Sequence, residues 1–291
     1  MGFRWSAGCA AGGVAVWLLL HFFRYPGLIE ELLLAAPLIA IPLGLRFVDG
    51  GEPAIGVARL FQPIAALCVV ASFQFQQGPV AGMLALPWLA VAGVCAWQAV
   101  GYIRLSGFSP GLVGMVFFAV GGAWLAASRY GLAPMGFNEK IVLLTSVHFH
   151  YAGFSACVIT MMAGLAMRER PGALRFAEIS VMMATPLLAI GITYSRLVEL
   201  IAAVWLAAGM IALGWLLVTR VSGAYSGWRA VLLRAAGASL FASMSLAAAY
   251  AIGGFPERGP LDIPMMARTH GYLNAFGFAI PALLAFQERD A

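Results

Sequence analysis

Charge is what this sequence has least of. Only 10% of its 291 residues are Asp, Glu, Lys or Arg, against roughly 25% in a soluble domain. With 62% hydrophobic residues and a mean hydropathy of +0.91, a water-soluble globular fold is excluded and a polytopic membrane protein is expected. Lysine is nearly absent: Lys140 stands alone beside 16 arginines. The cations are scattered, so no basic stripe for nucleic acid is present and no nucleic-acid partner is expected. Cysteine is sparse too. Cys9, Cys68, Cys95 and Cys157 all fall in apolar runs and none forms a C-x-x-C pair, which argues against a disulfide framework or a zinc knuckle. No zincin motif or Glu-x-x-His spacing occurs, and no nucleophile elbow in a strand–turn–helix setting is read, so the familiar hydrolase, metalloprotease and di-iron signatures are missing.

What the chain has instead is long apolar runs. About 20 such residues cross the hydrocarbon core as a helix. On that yardstick ten spans are expected, near 5–23, 27–46, 60–77, 79–99, 109–129, 140–166, 176–194, 197–219, 229–252 and 268–286, with nine also compatible. The connections are short, and residues 1–291 read as one all-α integral membrane helical domain. The N-terminal run continues through "WLLLHFF" without a small-residue cleavage site and reads as the first span rather than a secretory signal. Ten spans place the termini and every second loop on one side. That side carries eleven of the 17 basic residues and is expected to be cytoplasmic, in a bacterial inner membrane.

In that orientation the polar residues gather toward the outer half. His21 ends the first span and Glu30 and Glu31 open the second. Gln74 lies near the end of the third, and Tyr194, Arg196 and Glu199 mark the turn between the seventh and eighth. His148 and His150 sit about 12–15 Å inside the sixth span at 1.5 Å per residue, and His270 and Asn274 open the tenth. Ionisable groups inside a membrane normally face a bundle interior or a wet cavity, so one layer of them suggests a polar chamber. Polar residues are also simply tolerated at helix ends. His21, Glu30 and Glu31 fit that reading equally well, because interfacial side chains snorkel.

Two stretches carry the chemistry. In "HFHYAGF" (148–154), residues two apart diverge by roughly 200° on an α-helix. His148 and His150 therefore face opposite sides and do not chelate one ion together. His148 lies on the more polar stripe with Thr145, Tyr151 and Ser155 and is assigned to the chamber, while His150 is expected to bond across to another helix. In "THGYLNAFGF" (269–278), His270 and Asn274 are i,i+4 and share a face, and Gly271 and Gly277 admit a close neighbour helix. Arg196 reads first as a partner of Glu199, and "GGFPERGPLDIP" (253–264) as a connector that a lid reading also fits.

"HFHY" resembles the motif of heme–copper oxidase catalytic subunits, but only His21 and His270 remain to complete such a centre, which excludes it by counting. A single heme with a histidine pair is the less favoured cofactor. A single transition metal held by His148, His270 and a carboxylate such as Glu30 is the better one, since three protein ligands plus water is a catalytic pattern. On "HFHYAGF" and "THGYLNAFGF" together, the chain resembles the YndJ-like family of bacterial integral membrane proteins. That resemblance implies a membrane helix bundle with no established reaction, sometimes labelled a transporter, and marks His148, His150, His270 and Asn274 as motif positions only.

Three functions compete on these residues. The leading one is a membrane-embedded enzyme acting on a lipid-soluble or amphipathic small molecule. His148, His270, Glu30, Glu31 and Tyr151 would be its catalytic groups; Asn274, His150, Tyr194, Arg196, Glu199 and Gln74 would contact substrate. The second is a proton-coupled transporter, favoured by prolines 37, 42, 63, 87, 186 and 281 within the spans. The third is a structural or assembly subunit, with the bilayer as its only sure partner.

Overall fold

The computed structural model describes residues 2–23, 27–48, 51–254 and 262–287. They form ten helices and, among the described residues, no strand. The helices are α1 (Gly2–Phe22), α2 (Leu28–Val48), α3 (Pro53–Ser72), α4 (Pro79–Ser106), α5 (Pro110–Tyr130), α6 (Glu139–Ala166), α7 (Gly172–Tyr194), α8 (Arg196–Ala224), α9 (Gly227–Gly254) and α10 (263–285). The first nine are long and apolar enough to cross a membrane. The chain is thus an all-α polytopic transmembrane protein. Most of the segment 253–264 lies outside the described residues.

One boundary differs from the hydropathy reading. The third helix runs Pro53–Ser72 rather than over 60–77. Its first turns contain Arg59 and Gln62, which depress hydropathy but are held by neighbours: Arg59 donates to Ser6 Oγ at 3.0 Å and Gln62 to the Pro37 carbonyl at 2.7 Å. Residues 73–78 (FQFQQG), with three glutamines, form the turn into α4. Buried Arg129 closes that turn, donating to the carbonyls of Ser72 (3.1 Å) and Phe75 (2.8 Å) and lying 4.3 Å over the Phe73 ring.

Main-chain contacts divide the chain into two units, Met1–Val158 and Ile159–Ala291, with the boundary inside α6. In the first unit α1 lies against α2 where Gly13 meets the Leu38 carbonyl, an approach that leaves no room for a Cβ. α5 packs on α4 and α6 through Gly122, against Leu89 and Ala92, and Gly121, against Phe149 and His150. The core here is aromatic: Trp88, Phe118 and Phe154 are fully buried and meet edge-on and tilted in sequence, with centroids 5.2 and 5.4 Å apart. In the second unit α8 and α9 cross at Gly214 and Gly237, each beside the other's carbonyl, and α10 reaches α9 through Gly277 against Ser239. Small residues at crossings are what membrane helices use where water drives nothing together.

Five helical stretches are π-wound: Ala36–Ala40, Phe149–Ser155, Ser180–Ala184, Ala267–Gly271 and Leu273–Ala279. Such winding is well under 1% of residues in ordinary proteins. Three of the five end two residues before a proline, at Pro42, Pro186 and Pro281. A proline ring clashes with the carbonyl four residues back, and a wider turn relieves that clash. The carbonyl left without an i+5 N–H then needs another donor. In α2 that carbonyl is Pro37, and the Gln62 amide supplies the bond Pro42 is unable to make.

Candidate functional site

The first unit assembles a polar layer where the end of α1, the start of α2 and the middle of α6 meet. Two consecutive residues of α2 hold it. Glu31 faces α1: its Oε1 accepts from His21 Nδ1 at 2.5 Å, and its carbonyl accepts from the Trp17 indole at 3.0 Å. Trp17 and His21 are i,i+4 on α1, and their rings stack at 5.3 Å and 12°. Leu32 faces α6, where its carbonyl accepts from the Tyr151 hydroxyl at 3.0 Å. Glu30, at the third position of the helix, folds back over Gly27, the residue preceding α2, so that a Cβ there would lie 2.7 Å from Oε2. His148 shares the Tyr151 face one turn earlier.

The three motif histidines stand in two different states. His150 is fully buried. The Trp88 indole N–H, which can only donate, points at His150 Nε2 from 3.0 Å. The ring proton is therefore on Nδ1, which donates to the Ser146 carbonyl at 2.7 Å. This is the cross-helix bond expected of His150, and both ring nitrogens are engaged by protein. His270, half-buried in the second unit, likewise has both ring nitrogens engaged: Nδ1 donates to the Ser243 carbonyl at 2.8 Å, and Nε2 accepts from the Asn274 amide at 3.0 Å. Ser243 Oγ completes the ring by donating to Asn274 Oδ1 at 3.2 Å. His270 and Asn274 share a face as their spacing implies, and they address each other.

His148 is exposed. Its Nδ1 donates to the Leu144 carbonyl at 2.8 Å, which leaves the Nε2 lone pair directed away from its own helix and, among the described residues, without a protein partner. The tautomer is fixed by what the other nitrogen bonds, as in imidazoles poised for metal or proton chemistry.

The remaining expected site residues have other surroundings. Gln74 is exposed in the α3–α4 turn, and Tyr194 is 78% exposed at the end of α7. Arg196 donates to the Gly254 carbonyl at 2.6 Å, tying the start of α8 to the end of α9. Glu199 lies where Gly191 packs against its backbone. Among the described residues no three His, Cys, Asp or Glu side chains gather as a metal set. Sequence reading missed Trp88 and Ser243, which have no local signal, and undervalued His21, whose i,i+4 tryptophan was visible.

The comparisons now bear on this geometry. The family model for "YndJ-like protein" matches residues 31–278, from the glutamate of the His21 pair through the π-wound His270 segment. The chain belongs to the YndJ-like family. The match reaches well into the first half, beyond the two motif stretches, and both of those stretches are π-wound. A relative, the "Uncharacterized membrane protein YndJ" of Bacillus subtilis (strain 168), is 31% identical over 180 residues, covering 62% of this chain and 33% of that protein. The chain thus spans about a third of that relative's length. No solved structure matches.

Proposed function

We propose that this YndJ-like chain is an enzyme embedded in the bacterial cytoplasmic membrane, performing acid–base chemistry on a lipid-soluble or amphipathic small molecule. The arginine distribution supports cytoplasmic termini and a His21–Glu31–Tyr151–His148 layer toward the outer face. His148 is the general acid/base, Glu30 and Glu31 are the carboxylates of the layer, and Tyr151 pins α6 to α2 so that His148 keeps its aim. The carrying observation is the open Nε2 of His148, on an exposed face, where His150 and His270 each have both ring nitrogens engaged. A general base must present a lone pair within reach of the proton it takes.

The test uses purified protein in nanodiscs, incubated with a total bacterial lipid extract and followed by mass spectrometry. Wild type converts a component of the extract; His148→Ala, with an unchanged melting temperature, does not. Equal conversion by His148→Ala overturns the assignment. Proton-coupled transport is the second reading, favoured by the π-wound, proline-marked interruptions of α2, α7 and α10, since transporters build sites from interrupted helices. It predicts uptake into proteoliposomes that follows a pH gradient, with the molecule chemically unchanged.

A further inference from the structure

The turn from α8 into α9, in the second unit, carries charge of one sign. No Asp or Glu occurs between Glu199 and Glu257, and the basic residues of that stretch are Arg220, Arg229 and Arg234. Arg229 is buried, with its guanidinium 5.3 Å from the centre of the Trp228 ring. Arg220 and Arg234 are exposed. Arg234 stands about 10 Å into α9 at 1.5 Å per residue. Its side chain turns back toward the helix start, as long cationic side chains do in a membrane, and Nε donates to Ser222 Oγ at 3.3 Å. Ser222 is buried two residues after Arg220, so this bond brings the Arg234 side chain to the turn that Arg220 opens. Among the described residues neither Arg220 nor Arg234 belongs to an ion pair.

We propose that this turn docks an anionic phospholipid, its two exposed guanidiniums holding the headgroup phosphate. The apolar surroundings suit a lipid rather than a soluble anion. Trp215, one turn before Thr219 and Arg220, is 58% exposed. On α9, Trp228 and Val231 precede Arg234 at intervals of three, share its face, and are 54% and 61% exposed. Tryptophans gather at headgroup level in membrane proteins, and basic sites between membrane helices bind acidic headgroups. A cation on a span needs a counter-charge, and a phosphodiester offers guanidinium strong acceptor oxygens. A zwitterionic headgroup carries its own ammonium, which competes for that phosphate; phosphatidylglycerol carries none. The α6–α7 connection of the same unit is basic but differently arranged: Arg170 is paired with Glu178, and Arg168 and Arg175 have no bond that ties them together. The proposal stands independently of the enzymatic reading, since no residue assigned to chemistry takes part.

The test is native mass spectrometry of the purified protein in detergent, titrated with phosphatidylglycerol, phosphatidylcholine or glycerol 3-phosphate. Wild type retains phosphatidylglycerol in preference to phosphatidylcholine, and glycerol phosphate at equal concentration does not displace it. Arg220→Gln and Arg234→Gln each weaken retention about five-fold and the double variant about 25-fold, the factor a basic residue contributes near an anionic surface. Glutamine keeps a donor for Ser222, so Arg234→Gln removes the charge and leaves that bond available. The pair Arg168→Gln and Arg175→Gln removes equal charge from the α6–α7 connection and leaves retention unchanged. Equal retention of phosphatidylcholine by wild type overturns the proposal without recourse to any variant. Displacement by glycerol phosphate overturns the lipid as occupant, and an equal loss in the Arg168/Arg175 pair overturns the turn as the site.

Discussion

His148 and His150 are two residues apart and have opposite physical fates. Replacing His150 with alanine removes a fully buried ring and strands the Trp88 N–H, so a loss of about 2–4 kcal/mol is expected, read as a lowered melting temperature in detergent. His148→Ala removes an exposed ring with one local bond, and its stability change is expected within about 0.5 kcal/mol. The divergence of the two rings was legible from helical periodicity alone, because winding of either kind sends residues two apart to different faces. That Trp88 meets His150 was not legible, since a separation of 62 positions carries no local signal of the pairing. The His21–Glu31 bond was half legible: both residues were placed at one level, but only α1 seated at Gly13 brings them within 2.5 Å.

At the scale of elements, the π-wound stretches are the feature that composition hides. Prolines 42, 186 and 281 mark three of them, so the rule connecting proline to a widened turn could have found those. Phe149–Ser155 has no proline; there Ser155 Oγ bonds the carbonyl of His150, five residues back, at 2.9 Å. In α2 the rule makes a prediction about coupling. Gln62→Leu leaves the Pro37 carbonyl unpaired and should cost about 1–3 kcal/mol. Pro42→Ala returns a backbone N–H to that carbonyl, so the double variant should lose less than the sum of the single losses, a non-additivity that a double-mutant cycle in thermal unfolding detects. Strict additivity would mean that Gln62 does not replace the missing N–H. The displaced start of α3 has the same origin. Hydropathy penalises Arg59 and Gln62 for polarity that their hydrogen bonds already satisfy.

For the whole molecule, the class and the ten helices were written in the apolar runs, because bilayer thickness fixes helix length and leaves composition little freedom. The division of contacts within α6 had no such signature, since the apolar run crosses it without interruption. Orientation is a statement about all the loops together. It predicts that a cysteine at Met135, in the α5–α6 connection, is labelled by a membrane-impermeant maleimide on intact spheroplasts, and that one at Glu169, in the α6–α7 connection, is labelled only after lysis. The reverse pattern would place the polar layer on the cytoplasmic face.

Everything proposed about chemistry depends on one distinction among imidazoles, and diethyl pyrocarbonate reads it directly because, among histidines, it acylates those with an accessible nitrogen lone pair. Treated in nanodiscs and mapped by mass spectrometry, the protein should be modified rapidly at His148 and protected at His150 and His270. Modification of His148 no faster than that of His150 would contradict the account.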